Sequence, residues 1–547
     1  MATRQVMSIC APMISALPHR PMIVAAVEQR GRRTFRRTLH VRSCSATSHV
    51  APLRRSGNYH PSLWTDKSVQ SLTSTSTVQK EEERERINVL KEQTRKLIGE
   101  KRQVAEQLQL IDHLQQLGVA YHFKDEIANV LSHLFETFRD EKGNFEARCE
   151  NQIRGFLSLY EASYLEKEGE TLLKEAMGFA TEQLKGFMEE GSVPETGGLR
   201  EQVAHALQLP LNWRLERVQH RWFIEACRGD DTINPPFLLE FAKLDFNLVQ
   251  DMYKSELREL SRWWSGLGLP EKLPFFRDRL LENYLWSLGF TYEPDSWRCR
   301  MIETKATCFM TLFDDIYDVY GTLDEHQLFT DAIDRWDLTA MDKLPEYMKL
   351  SFFALFNMVH EEGYWVMKET GLDVVPGLKR EWRDQCKAFF EEAKWFHHGQ
   401  TPKLNDYLEN AWVSIGGPNI LFNAYCVGKD LTGETLKFFP NYHEITRSSN
   451  ILFRLYDDMG TFTDEIERGD VANYIQCYMH EKGVSEEVAL PAQVESNLPL
   501  EGYFKNIAAN IPRTAQFFYD HEGDGYGKAY GETKSQIILL LFEPIQI

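Results

Sequence analysis

The sequence predicts an all-α protein. Two observations carry that expectation. Apolar residues recur at helical spacing through most of the chain after Glu81, and bounded runs of alternating polarity are scarce. Asn-Gly or Asp-Gly turns between such runs, the usual hairpin signal, are missing as well.

The elements follow in order. Residues 1–50 hold Arg4, Arg20, Arg30, Arg32, Arg33, Arg36, Arg37 and Arg42 against the single acid Glu28. This Arg- and Ser-rich, acid-poor start has the composition of an organellar transit peptide. Its apolar run Pro21–Val27 is too short to span a bilayer, and no later stretch reaches the roughly 18 uninterrupted apolar residues a span needs. From Glu81 a helical stripe of Leu90, Leu97, Val104 and Ile111, widened by Leu108 and Leu114, is expected to run to a stop at Gly118. The text changes character across Ser255–Gly268, where Gly266-Leu267-Gly268-Leu269-Pro270 punctuates it. We therefore expect three segments: the leader 1–50, an N-terminal α-helical domain 51–255, and a C-terminal α-helical domain 256–547.

Composition narrows the function classes. With 62 basic and 81 acidic residues the formal charge is −19, which disfavours a nucleic-acid partner. Hydrophobic residues make up 43% and aromatics 12%, enough for large buried cores. Nine cysteines are scattered without a C-x-x-C pair, which argues against a disulfide scaffold or a zinc site.

The residue types that carry chemistry cluster in the second half. Asp314, Asp315 and Asp318 interrupt an apolar helical run, Phe309 to Tyr320. Asp314 and Asp318 are four apart and share a helix face. Carboxylates that close repel one another unless cations compensate, and hard oxygen donors suit Mg²⁺ or Mn²⁺. For these aspartates alone, an acidic solvent-facing stripe is an equally good reading. A second line shifts the balance. Asp457, Thr461 and Glu465 stack oxygen ligands along one helix face, with Arg454 a turn earlier. Arg277-Asp278-Arg279 adds guanidinium groups suited to phosphate oxygens. Trp286, seven residues after Arg279, falls on the same helix face and offers a ring to a cation. Together these point to metal-assisted departure of a diphosphate and a carbocation shielded from water. H-E-x-x-H, G-x-S-x-G and Walker A patterns are absent. His397-His398 reads as a surface or packing pair. Gly523-Asp524-Gly525-Tyr526-Gly527 reads as a flexible turn or a lid.

From about Arg54 onward the sequence resembles the plant terpene synthases, specifically plastidial monoterpene synthases. Asp314-Asp315-Ile316-Tyr317-Asp318 resembles the aspartate-rich metal motif. Asp457 to Glu465 resembles the second metal motif, with ligands implied at Asp457, Thr461 and Glu465. Arg277 and Arg279 match the R-x-R diphosphate clamp, and Arg454 a further diphosphate contact. Trp286 and Tyr519 fall where the family lines its cavity with aromatics. Arg54-Arg55, followed after eight residues by Trp64, matches the tandem-arginine motif tied to isomerising geranyl diphosphate before ring closure. The resemblance implies two α-helical domains, the C-terminal one a class I terpenoid synthase bundle. It further implies a Mg²⁺- or Mn²⁺-dependent lyase acting on geranyl diphosphate in the plastid stroma, as monomer or homodimer. Substrate contacts are implied at Arg277, Asp314, Asp318, Arg454 and Asp457, and metal contacts also at Asp315.

Departures from the pattern are specific. Asn473 stands where the family usually has Lys. The chain is shorter by about 30 residues between His133 and Phe145, and by about 20–30 after Val488-Ala489, each room for a helix or two. Cys308 stands where some relatives place a water-directing Asn, which argues against hydrated cineole-type products. A sesquiterpene synthase, a chain-elongating prenyltransferase and an inactive relative remain as alternatives.

Overall fold

The computed structural model describes residues 54–72, 77–100, 102–140, 152–164, 171–191, 198–228, 233–429, 431–439, 443–470, 472–483, 503–519, 523–528 and 530–547. Among them every regular element is helical and no strand occurs. The leader, the expected shortening before Phe145 and the one after Ala489 lie outside the described residues.

The first half comprises α1 (Asp66–Gln70), α2 (Thr77–Gly99), α3 (Val104–Gln116), α4 (Lys124–Asp140), α5 (Gln152–Ser163), α6 (Thr171–Glu189), α7 (Leu199–Gln208) and α8 (Glu216–Ala226). The stripe expected to run unbroken to Gly118 is in fact two helices. Residues 100–103 interrupt it, and the Gln107 side chain donates to the Ile98 carbonyl at 2.8 Å, satisfying the exposed end of α2. Both helices still bury the same stripe, with Leu90, Ile111 and Leu114 at most 4% exposed, so a break leaves the period intact. Leu108 points to solvent instead. Gly118 ends α3 at φ +73°, and any Cβ there would strike the His220 ring.

The second half begins inside α9 (Phe237–Leu267), which crosses the expected 255/256 boundary without a break. The punctuation read from sequence falls at its end, where Gly268 adopts φ +66°. There follow α10 (Leu269–Lys272), α11 (Leu280–Phe290), α12 (Trp297–Asp315), α13 (Leu323–Arg335), α14 (Glu346–Thr370), α15 (Val375–His397), α16 (Leu404–Ser414), α17 (Gly417–Val427), α18 (Gly433–Phe438), α19 (His443–Arg468), α20 (Tyr474–Lys482), α21 (Tyr503–Tyr519) and α22 (Gly531–Leu541). α12 is the central strut, buried from Cys299 to Phe313. Its Arg300, fully buried, makes a two-point ion pair with Glu256 of α9 at 2.7 and 2.9 Å. Such a pair orients the two helices, because an unpaired charge there would be costly. After Asp315, α12 widens into a π-turn, Ile316–Tyr320, closed by the Gly321 N–H on the Ile316 carbonyl at 2.8 Å. No helix among the described residues is long and apolar enough to cross a membrane.

Candidate active site

One cavity of about 490 Å³ collects ten of the eleven sequence-predicted residues: Arg277, Arg279, Trp286, Asp314, Asp318, Arg454, Asp457, Thr461, Glu465 and Tyr519. The exception is Asp315. Consecutive helical side chains diverge by about 100°, so Asp315 points into the wall while Asp314 faces the cavity. Asp315 is fully buried and accepts the Arg277 backbone N–H at 2.6 Å, with the Arg277 guanidinium 3.0 Å from its other oxygen. In this structure Asp315, expected as a metal contact, holds Arg277 and does not line the cavity. Arg277 also pairs with Asp314. Arg279 is engaged differently, donating to the carbonyls of His60 and Gly527.

The second carboxylate line repeats this logic. Asp457, Thr461 and Glu465 face the cavity from α19. The Thr461 hydroxyl lies 2.8 Å from Glu465 Oε1, and the Asn473 amide donates to Glu465 Oε2 at 2.9 Å. Asn473, the departure at the usual Lys position, thus orients an acidic side chain and supplies no charge. Asp458, which sequence reasoning did not single out, is the counterpart of Asp315. It is fully buried, accepts Tyr407 O–H at 2.7 Å and Tyr474 N–H at 2.8 Å, and pairs with Arg454 at 2.7 Å. Gly460 lets α21 approach closely, since a Cβ there would lie 2.7 Å from that of Tyr519. Tyr519 in turn counters part of the upward shift of the Asp457 carboxyl.

Electrostatically the cavity is acidic, its eight lining carboxylates outnumbering four arginines and one lysine. Burial pushes the Asp457 carboxyl up to about 7, opposed by Arg454 and reinforced by Asp458. Burial, then Asp458, pushes Glu465 up to about 8. Asp318 is raised well above the carboxylate range by burial and by Asp314. Among the described residues no three acidic, histidine or cysteine side chains converge into a ready metal cage. Two carboxylate sets lining one cavity nevertheless fit hard divalent cations that take their remaining ligands from water and substrate oxygens.

Part of the lining is aromatic. Trp286 stacks on Phe518 at 4.9 Å between centroids and tilts against Phe453 at 4.8 Å. One side is polar: Tyr526 donates to Asn283 at 2.9 Å and lies 2.6 Å from the Thr311 hydroxyl. Cys308 is behind this wall, buried, with Asn283 as its partner at 3.4 Å.

Sequence reasoning tied the tandem arginines to the reaction but not to a place. They anchor a strap, residues 56–60, which lines the cavity mouth. Arg54 binds Glu325 and the Tyr320 carbonyl. Arg55 binds Asp470 at 3.0 Å and the Asp318 carbonyl at 3.0 Å, joining both metal-motif segments. Tyr59 lies over Arg277, its ring 4.8 Å from the guanidinium. Arg468 and Lys528 also line the cavity. No spacing rule pointed to them.

Comparison with known proteins decides the family. Residues 265–494 match the terpene synthase family, metal binding domain, and residues 63–137 and 128–207 match the terpene synthase N-terminal domain. This chain belongs to the terpene synthase family. The enzyme is 51% identical to monoterpene synthase 7, chloroplastic, of Hedychium coronarium, over 92% of this chain and 93% of that protein. It superposes on limonene synthase bound to 2-fluorolinalyl diphosphate with TM-score 0.81 and 36% identity, covering 90% of this chain and 100% of the other. Grey poplar isoprene synthase with three Mg²⁺ ions and dimethylallyl-S-thiolodiphosphate gives TM-score 0.75 and 35% identity over 88% of this chain and 99% of the other. This terpene synthase is thus an all-α lyase whose matched domain is a metal-binding one.

Proposed function

We propose that this terpene synthase is a plastidial monoterpene synthase that ionises geranyl diphosphate with Mg²⁺ and releases diphosphate and C10 products. The observation that carries the reading is one cavity lined by two carboxylate lines, arginines and the aromatic rings of Trp286, Phe453 and Tyr519. Relatives named as chloroplastic monoterpene synthases and an acid-poor leader support the plastid. The catalytic domain begins at the end of α9, beside the start of the metal-binding match at residue 265.

Asp314 and Asp318 on one wall and Asp457, Thr461 and Glu465 on the other would hold the ions. When bound, these supply positive charge to the leaving diphosphate. Arg277 and Arg454, fixed by Asp315 and Asp458, present guanidinium groups to phosphate oxygens. Trp286 and Tyr519 face the allylic cation with their rings, and the strap excludes water from it. The test is gas chromatography–mass spectrometry of products from enzyme lacking the leader. Geranyl diphosphate with Mg²⁺ is expected to yield monoterpenes. Exclusive turnover of farnesyl diphosphate, or longer diphosphates formed with isopentenyl diphosphate, would overturn the proposal.

A further inference from the structure

Lys528 is the one lysine among the described residues lining the cavity. The four arginines there are each tied into the wall or to a rim carboxylate: Arg277 to Asp315, Arg279 to two backbone carbonyls, Arg454 to Asp458, Arg468 to Asp470. Among the described residues Lys528 pairs with Asp464, at 2.7 and 2.8 Å, and its side chain keeps 37% exposure. Asp464 and Glu465 of α19 both line the cavity, so the ammonium sits on the same lining as the second carboxylate line.

The backbone that carries Lys528 is fixed. Its N–H donates to the Asp524 carbonyl at 2.9 Å and its carbonyl accepts from Tyr530 N–H at 2.7 Å. The preceding Gly527 carbonyl accepts from Arg279 at 2.9 Å, and the Gly527 N–H donates to Asp524 at 2.6 Å. A flexible four-carbon stem on a fixed root gives a point charge that can turn from a rim carboxylate to an anion beside it. Diphosphate entering between Arg277 and Arg454 would place its oxygens in the same cavity.

We infer that Lys528 is a further diphosphate-binding residue, exchanging Asp464 for a terminal phosphate oxygen when substrate enters. This rests on the diphosphate reading of the cavity. The rival role is a latch that only closes the 523–528 loop onto α19.

Calorimetric titration of the full enzyme with inorganic diphosphate and Mg²⁺ separates them. Failure of the wild-type enzyme to bind sinks the reading of the cavity itself. With wild-type binding in hand, Lys528→Met is expected to weaken diphosphate about tenfold, the scale of one charge-assisted hydrogen bond, and to raise KM for geranyl diphosphate. Lys528→Arg should restore affinity. Asp464→Asn, which frees the ammonium, should bind diphosphate at least as tightly as wild type. Unchanged affinity in Lys528→Met overturns the inference. So does an equal loss in Asp464→Asn, which identifies a latch, or no restoration by Lys528→Arg.

Discussion

Replacing Arg54 by Ala tests whether the strap is held by its arginines. Arg54 makes a two-point pair with Glu325, donates to the Tyr320 carbonyl at 3.1 Å, and lies 4.8 and 5.2 Å from the ring centroids of Tyr320 and Tyr347. The paired side chains are 24% and 18% exposed, so the ion pair is screened but not fully solvated. A discounted bidentate pair contributes about 1.5 kcal/mol and the ring contacts about 0.5–1. Loss of about 2 kcal/mol raises the undocked population of the strap about 30-fold. Limited proteolysis under conditions where opening equilibrates faster than cleavage reads that population directly. Cleavage within residues 54–63 should accelerate about 30-fold while the melting temperature of the helical body stays close to wild type. An unaltered cleavage rate would refute the anchoring role, whatever the product profile shows.

Deletion through Arg55 removes both anchors, and product analysis should show cyclic terpenes lost while acyclic ones persist. Asp314→Asn should lower turnover of geranyl diphosphate by about 10²-fold or more in steady-state assays, the scale of losing one key electrostatic stabiliser. Trp286→Ala empties a site stacked between Phe453 and Phe518, and urea denaturation should report about 3–4 kcal/mol of lost stability. His220 and His113 are buried neutral, held down at about 3 and about 4 by desolvation and then by Arg217 and Arg154 respectively. Below the unfolded value of about 6.5 the unfolded chain takes up protons that the folded one refuses. Stability is therefore full above that pH and falls toward the folded values, by about 1 kcal/mol per histidine at pH 5.5 in urea titrations.

What spacing on a single helix encodes was legible. The helical class and the Asp457–Glu465 line follow from a 3.6-residue period, whereas Arg279 is the non-helical N-cap of α11 and reaches the cavity beside Trp286 without sharing its helix face. What depends on rotation or on distant chain was not. Asp314 and Asp315 are equal letters in a motif, yet α12 turns one to the cavity and the other to the Arg277 backbone. The strap joins residues 263 to 415 positions apart in sequence, beyond the reach of any local pattern. The α2–α3 break was invisible because both helices bury one stripe. The expected 255/256 boundary falls inside α9, which shows no punctuation until it ends at Gly268.

The same device recurs in both metal motifs. Each has a double aspartate, of which only the first lines the cavity. Burying the second carboxylate without a counter-charge would be costly, so each is paired with an arginine whose other side reaches the cavity. The first aspartate is left to face the opposite carboxylate line. In the Asp314–Asp315 set, Arg277 touches both carboxylates, and only Asp315 also holds its backbone. Arg277 can therefore release Asp314 without losing its place, and in the second set Arg454 is fixed by Asp458 and Tyr407 while Asp457 stays free of it as a hydrogen-bond partner. Each dipeptide thus presents one carboxylate to the cavity and uses the other to position an arginine beside it. That is why substituting Asp315 or Asp458 should disturb diphosphate binding even though neither side chain reaches the cavity.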